Sequence, residues 1–70
     1  MQKSRAVMLG QKIKKLREAK GLTQVELAVI VSISPVYVGF IENGRRRPSL
    51  RTLERLARAL KVSAKDLIPY

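Results

Sequence analysis

Apolar positions first fall into step at Leu9, Ile13 and Leu16, with Lys12, Lys14, Lys15 and Arg17 between them. Spacings of three and four put the apolar residues on one helical stripe and leave the outer face basic. Gly21, directly after Lys20, reads as a C-terminal stop with positive charge in the last turn. "TQVE" then opens a second segment, where Thr23 and Glu26 have the spacing of a capping box. Near the other end, "SLRTLERLARAL" starts at Ser49, just after Pro48, and Leu53, Leu56, Ala57 and Leu60 share a face. "SAKDLI" repeats the cap spacing with Ser63 and Asp66, then offers Leu67 and Ile68. The pattern predicts four helical segments outside the middle of the chain.

The middle is ambiguous. Val29, Ile30, Val31, Ile33, Val36, Val38 and Ile41 are all β-branched, the type most favoured in strands. Read as strands, residues 27–33 and 36–41 would form a hairpin broken at Ser34-Pro35. A lone two-stranded hairpin is marginal in water, and no third strand is available. Ser-Pro is also a poor two-residue hairpin turn, because neither residue favours positive φ. Read as helices, the local signals agree. Ser34 is an N-cap, Pro35 takes the first helical position where its missing N–H costs nothing, and Gly44 supplies the stop. The helical reading prevails, because the alternative leaves open strand edges.

A chain of 70 residues makes one small domain with a thin core. It has no cysteine and no histidine, which removes disulfides, the usual zinc sites and the commonest general base. Neither a nucleophile–base pair nor a glycine-rich phosphate loop is present, so an enzyme is the least favoured class and no cofactor is expected. Fifteen Lys and Arg against five Asp and Glu give a net charge of +10, which points to a polyanionic partner. No apolar run approaches the ~18 residues of a spanning helix. "MQKSRAVMLG" lacks the apolar core of a signal peptide, so a soluble, cytoplasmic protein is expected.

The central segments line up as "QVELAVIV", then "SIS", then "PVYVGFIEN". Leu27, Ala28 and Val31 face inward on the first helix and Val38 and Ile41 on the second, with Ala28 small enough for a close crossing. With "LTQVELA", "SISPVYV", "IENGRRRPSL" and "LERLARALKVSAKDL" in this order, the chain resembles the lambda-repressor-like (Cro/C1-type) helix-turn-helix family over residues 9–68. The resemblance implies an all-α fold of five helices, with a helix-turn-helix formed by the second and third and the third entering the DNA major groove. Residues 1–8 then read as an N-terminal arm or helix extension, and residues 9–70 as the DNA-binding domain. Family members usually have Gly where this chain has Ser32, because that residue often adopts positive φ. Ser there costs about 1 kcal/mol at most.

At about 100° per residue, an inward face at Val38 and Ile41 puts Val36, Phe40 and Asn43 on the opposite side. The family's base-reading positions map onto Pro35, Val36 and Phe40, with Tyr37 beside them. Relatives commonly carry Gln, Arg, Ser or Asn there, which hydrogen-bond base edges. Here the groups are mainly apolar, suited to thymine methyls, while Ser34 and Tyr37 keep hydroxyls for a phosphate or base. Specificity would then lean on methyl contacts and DNA shape. Two roles are open to Phe40, reading DNA or folding back onto a neighbouring helix.

Gln24 matches the family glutamine that bonds the DNA backbone, at a helix start that suits an anion. Asn43, Arg45, Arg46, Arg47 and Arg51 surround the end of the recognition helix and are candidates for phosphate contact. Arg17 and Glu42 match a structural ion pair of the family. Lys3 and Arg5 read as a disordered terminus in preference to an arm along the DNA.

The leading function is a transcriptional regulator that occupies an operator or recruits polymerase, binding double-stranded DNA as a homodimer on an inverted repeat. Leu67, Ile68 and Tyr70 are candidates for the dimer contact or for closing the core. The alternative is a protein-interaction module of antitoxin or anti-repressor type. Its protein partner would meet an apolar patch that includes Val25, Val29, Ile30, Val36 and Phe40. A membrane-surface role is disfavoured, since the basic residues are not gathered opposite one uninterrupted apolar face.

Overall fold

In the computed structural model, residues 4–68 are described, and every regular element among them is a helix. In chain order these are α1 (Arg5–Ala19), α2 (Gln24–Val31), α3 (Pro35–Glu42), α4 (Leu50–Leu60) and α5 (Ala64–Leu67). The strand-rich composition of the middle segment is overruled by its caps. The Thr23 side chain accepts from the Glu26 N–H at 3.0 Å, and the Glu26 carboxylate accepts from the Thr23 N–H at 2.8 Å. Ser34 Oγ accepts from the Tyr37 N–H at 3.0 Å with Pro35 at the first helical position, and Ser49 Oγ accepts from the Thr52 N–H at 3.2 Å. Each bond satisfies a donor that a helix start otherwise leaves unpaired.

Helix α1 starts earlier than its apolar stripe suggested. Ser4 caps it by accepting the Val7 N–H at 3.1 Å, so Arg5 is the first helical residue, in place of a disordered terminus or arm. Lys3 and Tyr70 lie outside the described residues. Between α2 and α3 the chain turns by 108°, within the range of about 90–120° for two helices joined by a tight turn. Ser32 makes that turn in the left-handed region, φ 64°, a conformation that glycine adopts without a steric cost. Gly44 ends the α3 segment at φ 81°.

The core draws on all five helices: Ile13 from α1, Leu27, Ala28 and Val31 from α2, Val38 and Ile41 from α3, the α4 face of Leu53, Leu56, Ala57 and Leu60, and Leu67. Helix α3 packs on both α1 and α2, and α4 on α2 and α5. Leu67 is fully buried and closes the core, while Ile68 packs against the cluster and stays partly exposed. No single helix among the described residues is long and apolar enough to cross a membrane.

The α2 cap carries a pH signature. The bonds from the Thr23 backbone N–H, and then from its hydroxyl, hold the Glu26 carboxyl below its ordinary value. A carboxylate whose folded value is lowered stabilises above the unfolded value and loses that contribution as pH falls through the folded one. Acid titration followed by circular dichroism is therefore expected to show a steeper loss of stability for the native chain than for Glu26→Gln. Parallel curves for the two proteins would remove the cap from the acid response.

Candidate nucleic-acid interface

Burial of Val38 and Ile41 fixes how α3 is rotated, and leaves Val36 and Asn43 exposed and Phe40 and Gly39 half-buried. Val36 is 64% exposed, a β-branched apolar residue on an open helix face. Tyr37 is half-buried and packs against the core cluster. Its hydroxyl donates to the Arg47 carbonyl at 3.5 Å, so it braces the loop that follows α3. Ser34 and Pro35 are exposed at the start of the helix. The Ser34 oxygen is engaged as the cap, which leaves the hydroxyl hydrogen for an outside acceptor.

The arginine loop is fastened to α3 through its backbone. The Phe40 carbonyl accepts the N–H groups of Arg45 at 2.9 Å and Arg46 at 3.2 Å, and Asn43 Oδ1 accepts the Arg45 N–H at 3.1 Å. With the backbone tied down, the side chains of Arg45, Arg46 and Arg47 stay exposed, as does that of Arg51 in the first turn of α4. Among the described residues none of the four makes an ion pair. Three of the five acidic residues are used internally: Glu26 and Asp66 at helix starts, and Glu42 in the interior. The positive field around the loop is therefore left largely uncompensated, the arrangement that a phosphate backbone neutralises.

Behind α3 lies a polar cluster. Arg17 on α1 donates from Nε to Glu42 Oε2 at 2.6 Å and from Nη2 to Oε1 at 3.1 Å. Its Nη1 donates to the Leu22 carbonyl at 2.7 Å, which closes the link between α1 and α2. Arg17 and Glu42 are 7% and 5% exposed, so the pair is an internal clamp on the end of α3. Gln24 belongs to the same cluster: its Nε2 donates to Glu42 Oε1 at 3.1 Å, and its amide lies alongside Gly39. This bond joins residues 18 apart, and no spacing in the sequence signals it. Gln24 is thus oriented at the mouth of α2 by the clamp that holds α3.

Two exposed apolar surfaces flank this region. Val25, Val29 and Ile30, at 57%, 74% and 55% exposed, cover the outer side of α2. Leu50, at the first position of α4, is 70% exposed, which the sequence pattern did not reveal because its neighbours Leu53 and Leu56 are core residues.

The profile of the helix-turn-helix family matches residues 13–67. The immunity repressor protein of Bacillus phage phi105 is 42% identical over 60 residues, 86% of this chain and 42% of that protein's length. The crystal structure of the restriction-modification controller protein C.AhdI from Aeromonas hydrophila superposes with a TM-score of 0.86 at 40% identity, over 90% of this chain and 96% of that one. The biofilm master regulator SinR, crystallised in complex with DNA, superposes with a TM-score of 0.79 at 38% identity, over 86% of this chain and 97% of that one.

Proposed function

Since the chain belongs to the helix-turn-helix family, in the lambda-repressor-like branch of DNA-binding transcription regulators, we propose that it acts by laying α3 in the DNA major groove. The observation that carries this reading is the arginine loop, tied by its backbone to the end of α3, whose three exposed guanidinium groups, with Arg51 of α4 as a fourth, stand beside an open helix face without an ion pair among the described residues. Phosphate contacts from Arg45, Arg46, Arg47, Arg51 and Gln24 set the register, and the outer row of α3 meets the base edges. The eight residues of α3 span about 12 Å, a length that covers only about four base pairs. So short a reading supports a homodimer on an inverted repeat, with half-sites about one turn apart. A protein partner as well as DNA is supported by the open apolar side of α2.

Selection from random duplexes tests the reading directly, with an enriched inverted repeat as the expected outcome. On that repeat, Arg46→Ala is expected to weaken binding to all sequences alike and to lower the slope of log K against log salt by about 1.8, roughly 0.9 for each of the two subunits. Gln24→Ala, which removes no charge, is expected to weaken binding without changing the slope. If no site is enriched, sequence-specific regulation is wrong.

A further inference from the structure

Short of Asn43 at its end, the outer row of α3 offers bases nothing to hydrogen-bond. Pro35, Val36, Gly39 and Phe40 carry no polar side-chain atom. The polar groups at the two ends of the row are partly engaged inside the protein, which leaves only the Ser34 hydroxyl hydrogen and the Asn43 amide hydrogens facing outward there. Ser34 Oγ accepts the Tyr37 N–H, the Tyr37 hydroxyl donates to the Arg47 carbonyl, and Asn43 Oδ1 accepts the Arg45 N–H. What projects is Val36, 64% exposed and, as a β-branched residue on a helix, restricted to one strongly preferred rotamer. Beside it, Gly39 leaves a notch: a Cβ placed there would meet only the Gln24 side-chain amide, 3.9 Å away. A small apolar group can therefore lie against Val36 without displacing protein atoms.

In the major groove the apolar group on a base edge is the C5 methyl of thymine. Cytosine methylated at C5 presents the same group from the same ring position. A side chain that reads this methyl by contact alone, with no hydrogen bond to the rest of the edge, takes thymine and 5-methylcytosine as equivalents. It treats uracil and unmethylated cytosine as equally deficient. Resting on the placement of α3 in the groove, we propose that this protein reads C5-methyl groups through Val36. Cytosine methylation within its site then converts an unread base pair into a read one, and couples occupancy of the site to the methylation state of the DNA.

The test uses the whole chain and the site enriched from random duplexes. Each thymine of that site is replaced in turn, giving T·A, U·A, C·G and 5-methylcytosine·G at one position. At the position against Val36, T·A and 5-methylcytosine·G are expected to bind alike. U·A and C·G are expected to bind about fourfold more weakly, the worth of one buried methyl. Val36→Ala, at an exposed site where folding is not at stake, should abolish most of this difference and keep the salt dependence. Two outcomes overturn the inference while the regulator reading stands: uracil equal to thymine at every position, or 5-methylcytosine no better than cytosine. Discrimination that persists in Val36→Ala transfers the effect to DNA shape and overturns the role of Val36. A selection with no enriched site removes the regulator reading itself, and the inference with it.

Discussion

Glu42→Ala is expected to bring the domain close to unfolding at room temperature. The substitution leaves Arg17 Nε and Nη2 without their acceptor at a position only 7% exposed, and it releases Gln24 as well. The guanidinium cannot escape by giving up its proton, since an arginine side chain stays protonated in proteins even without an acidic partner. Removing one partner of a buried pair typically costs about 3–5 kcal/mol, because the other charge stays buried and uncompensated. A 70-residue domain has roughly 3.5–10 kcal/mol in total. At about 4–8 °C per kcal/mol for a domain of this size, the melting temperature should fall by at least about 12 °C. The double variant Arg17→Met/Glu42→Leu removes both charges and should melt above Glu42→Ala, although it too lacks the ion pair. If Glu42→Ala melts within about 4 °C of the native chain, the clamp is not what holds α3 in place.

Gly10→Ala is the second large effect, and its sign is the informative part. In an exposed helix interior, replacing Gly by Ala adds about 0.5–1 kcal/mol of stability. At Gly10 the added Cβ would fall inside contact distance of the Ile41 carbonyl oxygen, and 2.5 Å from that of Glu42. Both obstacles are backbone, so no rotamer change relieves them, and α1 must slide away from α3. Overpacking of this kind costs about 1–3 kcal/mol, and the backbone contact places Gly10 at the upper end or beyond. Thermal melts should show a marked loss of stability, with weaker DNA binding because α3 is set by this crossing. A variant as stable as the native chain would mean that the two helices do not approach so closely.

Gly10 also marks what the sequence could and could not reveal. The caps were legible: Thr23 with Glu26, Ser34 with Pro35, and Ser49 act through bonds between residues three apart, which spacing exposes. The core was legible for the same reason, since Leu53, Leu56, Ala57 and Leu60 share a face by period alone. The start of α1 was not, because the first turn carries its apolar residues, Ala6, Val7 and Met8, consecutively and shows no stripe. The need for glycine at position 10 depends on where α3 passes, a fact about a distant segment. Likewise, Gln24 could be matched to a phosphate contact by resemblance, but its bond to Glu42 exists only once α2 and α3 are folded together. Tyr37 shows the same limit, as the reach of its hydroxyl to the Arg47 carbonyl depends on where the loop after α3 passes.

The rigid apolar face of α3 has a consequence for the thermodynamics of docking. A Gln or Arg at the position of Val36 would surrender about 1.5–2 kcal/mol of rotamer freedom when held against a base edge. Val36, with one strongly preferred χ1 in a helix, has little to surrender, and Pro35 has none. The protein side of the groove contact is therefore set before DNA arrives, and calorimetry on the cognate duplex should register apolar burial as a negative heat-capacity change. The β-branched residues that made this segment look like a strand are, on a helix, the ones with the least motion to give up.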